Sequence, residues 1–296
     1  MKKSAFYKSR NSKAIILFLL PTILGLILFQ YIPLLNALRN SFLNVNLLAP
    51  GQDTFAGLSN YIRMAHDQRF LKSLMNTGLY ASLKIVVQVP ISLALALLVQ
   101  QKIRGISFVR SALFAPTVTA LSIVAVIWNL MYDPVYGFFN TVLQSFGISP
   151  QPFLTSPNQA LLSITAMSIW QDVGYTMLIF LSGLQSIPDD YYEVAQIDGA
   201  GKIQLLRYIT LPLLQRTTLF AIMTTTIFAF KVFTPIYIMT KGGPYFSTLV
   251  SVYYIFERGF IYLDMGYASA LAVILVSMVL LLALIQNRLI QAQFEY

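Results

Sequence analysis

Six long apolar segments constrain the fold of this chain more than any other feature of its sequence. Each has the length of about 20 residues that an α-helix needs to cross the hydrocarbon core of a bilayer. Strands of a membrane β-barrel would instead alternate apolar and polar residues over about 10 positions. Because the apolar runs are continuous, we predict an all-α integral membrane protein with six transmembrane helices, at residues 14–31, 79–99, 108–131, 160–184, 213–239 and 266–285.

The composition supports one transmembrane domain covering residues 1–296. Hydrophobic residues make up 57% of the chain and charged residues 10%, whereas soluble domains contain about 25% charged residues. Cys is absent and His66 is the one histidine, so the sequence offers neither a thiolate nor a His-cluster metal site. It also contains no G-x-S-x-G, HExxH or paired-carboxylate motif, and we therefore predict a membrane protein that is not an enzyme.

The distribution of Lys and Arg predicts the orientation, because these residues concentrate in cytoplasmic segments. With the N-terminus inside, both termini are cytoplasmic and two cations, Lys84 and Lys231, lie within spans. The inside segments then hold Lys2, Lys3, Lys8, Arg10, Lys13, Lys102, Arg104, Arg110, Lys202, Arg207, Arg216 and Arg288, and the outside segments hold Arg39, Arg63, Arg69, Lys72, Lys241 and Arg258.

The first apolar segment follows a basic stretch, as a signal peptide does. Its apolar run is longer than the usual signal core, and no small-x-small cleavage site follows it. We therefore expect an uncleaved first helix.

The long predicted cytoplasmic loop, residues 185–212, has the pattern of two short helices joined by a glycine turn. Ser186 is expected to cap the first helix, and the glycines in residues 198–201 are expected to end it, because glycine tolerates positive φ. A second helix at about 202–209 follows, with Thr210 as a further cap and Pro212 opening the fifth span.

This loop is acidic, and its charge bears on what it contacts. Its carboxylates are Asp189, Asp190, Glu193 and Asp198. Anionic lipid of the inner leaflet repels such a surface. The residues alone leave two alternatives, a docking element for a partner protein or a helix lying on the membrane.

Residues 199–202 read GAGK but do not form a nucleotide-binding loop. That loop requires G-x-x-x-x-G-K followed by Ser or Thr. Here the position five before Gly201 is Gln196, and Ile203 follows Lys202. We therefore expect no ATP site in this chain.

At these residues the sequence resembles the permeases of binding-protein-dependent ABC importers. The stretch Glu193-Val194-Ala195-x-x-Asp198-Gly199-Ala200-Gly201, followed by Ile209-x-Leu211-Pro212, is similar to the EAA loop of that family. Six further stretches are similar to the sugar-permease branch of the family. They are Trp170-Gln171, Leu184-Gln185-x-Ile187-Pro188, Thr240-Lys241-Gly242-Gly243-Pro244, Gly266-Tyr267-Ala268-Ser269-Ala270, Gly57-Leu58-x-Asn60-Tyr61 and Asn76-Thr77. The loop departs from the family pattern at Val194, where a second Ala is usual, and at Leu206, where an aromatic residue is usual.

The resemblance implies an importer permease fold in a bacterial inner membrane. It also implies a second, non-identical permease subunit, two cytoplasmic ATPase subunits and an extracytoplasmic binding protein. ATP and Mg²⁺ would then be bound by the ATPases and not by this chain. The residues implied to couple to the ATPases are Glu193, Val194, Ala195, Asp198, Gly199, Ala200 and Gly201.

Polar residues within the spans are candidates for a transport path, because they usually face a bundle interior or a water-filled route. The candidates are Trp170, Gln171, Asp172, Tyr175, Phe230 and Lys231. Aromatic faces with amide or carboxylate groups suit a sugar, although the same residues also suit helix–helix contacts. We further expect the side chains of Lys84 and Lys231 to extend towards the outer surface. For Lys231, an ion pair with Asp172 is the alternative.

The substrate class stays open between a carbohydrate and a glycerol phosphate. An oligosaccharide, a disaccharide, a small glycoside or a polyol would fit the sugar branch. Glycerol phosphate requires a cation on the path, for which Lys231 is the candidate. A proton-coupled secondary carrier, with Asp172 titrating, is a third alternative.

Overall fold

The computed structural model describes residues 12–46, 51–101 and 103–291. The chain divides into two compact units, the first formed by Met1–Met64 with Arg258–Val273 and the second by Ala65–Glu257 with Ile274–Tyr296. Several basic residues that were predicted to be cytoplasmic are not among the described residues. They are Lys2, Lys3, Lys8, Arg10 and Lys102. The side chain of Lys13 is also not described.

The described chain is mostly helical, with one small antiparallel hairpin. The elements of its first half are α1 (Ser12–Leu26), α2 (Ile32–Asn40), β1 (Leu43–Asn44), β2 (Thr54–Phe55), α3 (Ser59–Ala65), α4 (Gln68–Leu83), α5 (Val89–Val99), α6 (Ile106–Val118), α7 (Leu121–Met131) and α8 (Phe138–Ser145). Those of its second half are α9 (Ala160–Gln185), α10 (Asp190–Ile197), α11 (Lys202–Leu205), α12 (Leu211–Leu213), α13 (Gln215–Phe230), α14 (Thr234–Met239), α15 (Ser251–Phe256) and α16 (Met265–Gln291).

The described residues contain five helical segments that are long and apolar enough to cross a membrane, or six if one bent pair counts as a span. The five are Phe18–Asn40, Gln68–Val99, Ala160–Gln185, Gln215–Met239 and Met265–Arg288, and the bent pair is Ile106–Val118 with Leu121–Met131. The prediction of a polytopic helical protein is confirmed. The second span begins earlier than predicted, because the helix already starts at Gln68 and its first turns contain polar residues.

The predicted span at 108–131 is not one continuous helix. Its two helices, α6 and α7, meet at 93° across Thr119 and Ala120, whose backbones are extended. Three β-branched residues in succession, Thr117, Val118 and Thr119, precede the break, and such side chains lower helix propensity. An average hydropathy over the segment carries no information about this bend.

The described residues contain four widened π turns, at Ile27–Tyr31, Lys84–Gln88, Leu206–Thr210 and Glu257–Ile261. Each of the first three is followed two residues later by a proline, namely Pro33, Pro90 and Pro212. A proline ring collides with the carbonyl four residues earlier in a regular helix and lacks an N–H donor. In all three places that carbonyl lies within the π turn, so the helix continues past the proline.

The first compact unit is held together by residues of two motifs that resemble the sugar branch. Asn60 is buried, and its Nδ2 donates to the carbonyls of Ser41 (3.0 Å) and Leu43 (3.2 Å). A Cβ on Gly266 would lie 2.0 Å from the Leu43 carbonyl oxygen, so this position requires glycine. Arg63 forms a salt bridge with Asp264 at 2.7 Å.

Helix α9 is the centre of the second unit, with α5, α6 and α13 packed against it. Its contact with α6 is backbone to backbone, since a Cβ on Gly174 would lie 2.3 Å from the carbonyl oxygen of Leu113. Part of the same unit is an apolar core at one end of α9, which contains Phe180, Leu184 and Leu214.

This packing predicts that Gly174→Ala destabilises the fold. The new methyl group would collide with backbone atoms of α6, and overpacking of this kind costs about 1–3 kcal/mol. Gly78→Ala is the matched control, because a Cβ at Gly78 meets nothing within 4 Å and alanine favours helix. Thermal unfolding in detergent should show a lower midpoint for Gly174→Ala and an unchanged or higher midpoint for Gly78→Ala; equal midpoints would contradict the described contact.

Candidate functional site

The predicted two-helix loop is present, but its boundaries differ from those expected. The first helix, α10, begins at Asp190, and Ser186 does not cap it. Instead Ser186 lies at the end of α9, where its hydroxyl donates to the carbonyl of Gly183 at 2.7 Å. Thr210 does not cap a helix either: it lies in the π turn, and helix continues on both sides of it. The fifth span begins at Gln215.

The turn between the helices is a glycine-dependent helix stop, as predicted. Gly199 has a φ of +82°, a region in which side chains other than glycine are strained. The N–H of Ala200 donates to the carbonyl of Ala195 (2.9 Å), and that of Gly199 donates to Gln196 (3.0 Å). This pair of bonds defines a Schellman motif. The next helix begins after Gly201, whose N–H donates to Gln204 Oε1 at 2.7 Å.

Three contacts fix the loop against the membrane-spanning helices. Ile187 and Leu214 are buried in the same apolar core as the end of α9, and Tyr192 packs against that core. The Tyr192 hydroxyl also lies 3.2 Å from the Thr210 hydroxyl. Tyr192 of α10 thus packs against the same core that contains Leu214, the residue before α13.

The opposite face of the loop is apolar and uncovered. Ile197 is 85% exposed, Ile203 81% and Tyr208 69%, and Tyr191 and Val194 are also more than half exposed. The carboxylates predicted for the loop are exposed beside them. An apolar patch rimmed by charges is typical of a protein-interaction surface.

A polar cavity of about 220 Å³ lies within the second unit, at the level where α9 faces α13 and the π turn of the second span. Its lining combines charged, amide, hydroxyl and aromatic groups. The lining residues are Lys84, Gln88, Thr117, Asp172, Tyr175, Thr176, Thr224, Thr225 and Phe228. Among the described residues, no group of three or more His, Asp or Glu side chains is placed to bind a metal ion.

The structure corrects the expected pairing of the intramembrane charges. Asp172 pairs with Lys84, with 2.5 Å between Nζ and Oδ2, and not with Lys231. The Lys84 side chain is 3% exposed and so does not extend to the surface, whereas the Asp172 side chain is 37% exposed. Lys231 itself is exposed, in the break between α13 and α14. The pairing involves residues far apart in the sequence, and hydropathy alone does not identify such partners.

Of the six predicted path residues, the cavity contains Asp172 and Tyr175. Gln171 is buried, and its Nε2 donates to the Thr119 carbonyl at 3.1 Å, where the third span breaks. Trp170 lies with its ring 5.3 Å from that of Trp128. Phe230 is buried outside the cavity lining.

Some residues of the cavity lining, among them Gln88, were not predicted from the sequence. Gln88 is four residues after Lys84 in the same π turn, a spacing that places both on one helix face. Its Nε2 donates to Thr176 at 2.8 Å, while its Oε1 is buried with no hydrogen-bond partner. A Lys and a Gln four residues apart within an apolar helix were the signal available in the sequence.

Comparison with known proteins identifies the family. Residues 68–294 match the model of the binding-protein-dependent transport system inner membrane component. The chain belongs to this family of permeases. It is 32% identical over 277 residues to the sn-glycerol-3-phosphate transport permease UgpA of Agrobacterium fabrum, covering 93% of this chain and 94% of that one. It is also 32% identical over 237 residues to the trehalose/maltose transport permease MalF of Thermococcus litoralis, covering 80% of each.

A solved structure shares the fold of this permease. The match is to a bacterial ABC transporter involved in the import of the acidic polysaccharide alginate, with a TM-score of 0.83 and 22% identity over 96% of each chain. Permeases of this family are non-catalytic membrane components of ABC transporters, and this one is a multi-pass membrane protein.

The buried ion pair predicts the order of stability among its variants. Asp172→Asn leaves the Lys84 ammonium group buried without its partner, and breaking such a pair costs about 3–5 kcal/mol. Lys84→Met leaves a carboxylate that still faces the cavity, so we expect a smaller loss. Replacing both should recover most of the loss caused by Asp172→Asn, and thermal midpoints of the three variants measure this.

If instead the double variant loses as much as the two single variants together, the two groups do not stabilise each other. Asp133→Asn is a suitable control, because Asp133 lies in the loop after α7 and accepts hydrogen bonds from the N–H groups of Val135 and Tyr136. Those bonds lower the pKa of Asp133 and involve no buried lysine.

Proposed function

We propose that this permease is one membrane subunit of an ATP-driven importer that takes up a carbohydrate delivered by an extracytoplasmic binding protein. The carbohydrate is an oligosaccharide, a disaccharide, a small glycoside or a polyol. A second, similar permease completes the pore in the bacterial inner membrane. Two ATPase subunits dock on the pair of permeases, and the docking site of this chain is the loop around Glu193–Gly201.

The observation that carries this proposal is the loop surface. Its two helices are fixed to the spans on one side by Ile187 and Leu214, and on the other side they present bare apolar side chains beside carboxylates. A helix resting on lipid would bury such apolar groups in the bilayer and carry basic residues instead. A docking surface for a separate protein accounts for both features.

Each coupling residue has a place in this arrangement. Glu193 is exposed and free to accept a charge-assisted hydrogen bond from an Arg of the ATPase. Val194 adds an apolar contact, Ala195 lies half-buried behind it, and Asp198 is exposed at the helix end. Gly199, Ala200 and Gly201 reverse the chain direction.

The relatives support two substrate classes, since one is named for trehalose and maltose and another for sn-glycerol 3-phosphate. A glycerol-phosphate importer of the same architecture is therefore the second candidate. Membership of a binding-protein-dependent family argues against a proton-coupled secondary carrier, which needs neither a binding protein nor an ATPase.

The experiment that tests the function is purification of this permease with its neighbouring subunits, followed by ATPase assays with the binding protein. We expect the ATPases to co-purify, and hydrolysis to rise when the binding protein carries its sugar. A panel of sugars and sn-glycerol 3-phosphate distinguishes the two substrate classes. Solute movement by this chain alone down a gradient would refute the proposal.

The turn provides a matched pair of variants for coupling. Gly199→Ala forces a side chain into left-handed backbone, which costs about 1–2 kcal/mol, whereas Gly201, with a φ of −76°, tolerates alanine. We expect Gly199→Ala to insert normally but to lose most of the stimulated hydrolysis, and Gly201→Ala to retain it. Equal stimulation in the two variants would show that the Schellman turn is not needed for docking.

A further inference from the structure

The connection between α5 and α6 carries an inference that does not depend on the transported solute. Together with the first turn of α6 it forms a short basic segment, residues 100–110, called here the basic turn. We propose that the basic turn binds the headgroup of an anionic phospholipid. Arg104 and Arg110 contact the lipid phosphate. Ile103 and Phe108 lie at the boundary with the acyl chains.

The basic turn lies at the same end of the second unit as the two-helix loop. Val99, the last residue of α5, is part of the apolar core at one end of α9, and Ile106, the first residue of α6, packs against it. The same core contains Leu184 and Ile187, which lead into the two-helix loop. Because the second and third spans are joined here, the basic turn lies where these spans leave the bilayer.

The basic turn exposes large apolar side chains. Phe108 is 78% exposed and Ile103 57%, and Val109 is also exposed. They alternate in the chain with cations, since Arg104 follows Ile103 and Arg110 follows Val109. Exposed apolar side chains beside Lys or Arg are typical of segments that lie at the boundary between headgroups and acyl chains.

The positive charge of the basic turn is not neutralised by carboxylates. Residues 68–132 contain no Asp or Glu. Arg104 is exposed, and in the part of the chain that the structure describes the salt bridges involve other residues. Lys102 adds a third cation in the sequence and lies outside the described residues. An anionic leaflet attracts a segment of this charge.

Arg110 is held in place by the backbone of the preceding helix. Its Nε and Nη2 both donate to the carbonyl of Val99, at 2.9 and 2.6 Å. That carbonyl lies at the end of α5, where carbonyls lack partners within the helix. The two bonds leave Nη1 of the half-buried guanidinium group for a phosphate oxygen, and hydrogen bonds between Arg and phosphate are among the strong ones.

Charge complementarity favours lipid over a second protein as the occupant of this surface. The two-helix loop, at the same end of the unit, exposes apolar side chains beside carboxylates, which an anionic leaflet repels. The basic turn exposes apolar side chains beside cations, which the same leaflet attracts. The two surfaces are therefore suited to different occupants, and the basic turn is suited to the bilayer.

The test measures lipid contact at one fluorophore, since the chain contains no cysteine. Ser107→Cys, at an exposed position beside Phe108, is labelled with bimane in the assembled transporter, with partner cysteines replaced. The transporter is reconstituted in phosphatidylcholine, and phosphatidylglycerol or phosphatidylcholine with brominated acyl chains is added as the quencher. The ratio of the two association constants gives the preference of the basic turn for an anionic headgroup.

We expect a preference of about tenfold for phosphatidylglycerol, and we expect Arg104→Gln to reduce it about fivefold, because each basic residue close to an anionic surface contributes about that factor. Arg104→Lys should retain most of the preference. Arg207→Gln is the matched control, because it removes an exposed cation from the two-helix loop at the same end of the unit, and it should leave the preference unchanged.

Equal quenching by the two lipids would overturn the proposal, as would a preference that Arg104→Gln does not reduce. An equal reduction by Arg207→Gln would also overturn it, because the net charge of the whole surface would then attract the lipid. Quenching by neither lipid would show that protein or water covers the basic turn, which contradicts a lipid site. Hydrolysis stimulated by the binding protein, measured on the same preparation, tests the importer function separately.

Discussion

Breaks in spanning helices must be closed by side chains, because lipid offers no water to the freed backbone groups. The bend in the third span leaves the Thr119 carbonyl without a helical partner, and Gln171 of α9 donates to it. Arg110 donates two bonds to the Val99 carbonyl at the end of α5. In the loop before α15, Asn76 donates to the carbonyls of Phe246 and Leu249. These polar side chains supply hydrogen-bond donors to backbone carbonyls at helix ends and in loops of the second unit.

Charged groups within the spans also need partners. Lys84 is buried with its counter-ion because an isolated ammonium group in the spans would be costly, and the neutral pair leaves a cavity with balanced charge. The acidic residues of the two-helix loop are exposed to water. The paired charges of the cavity and the solvated charges of the loop thus lie in different environments of one chain.

Structural features that depend on a local pattern of residues could be predicted from the sequence. Apolar runs located the spans, and the glycines located the turn now seen at Gly199, because positive φ restricts the residue type. Pairings between distant residues were not accessible: Lys84 and Asp172 are brought together by the packing of α9 on the π turn, and no periodicity identifies that contact. The bond from Gln171 to the Thr119 carbonyl at the helix break is likewise not predictable, because a polar residue in a span indicates burial but does not identify its partner.

The central claim is that the acidic loop faces the cytoplasm and receives a separate ATPase. The most direct measurement is labelling of Ile197→Cys, at an 85% exposed position, with a membrane-impermeant maleimide. We predict labelling in inside-out vesicles stripped of ATPase, protection when the ATPase rebinds, and none in intact cells. Labelling from outside intact cells, or labelling that the ATPase does not reduce, would contradict the account.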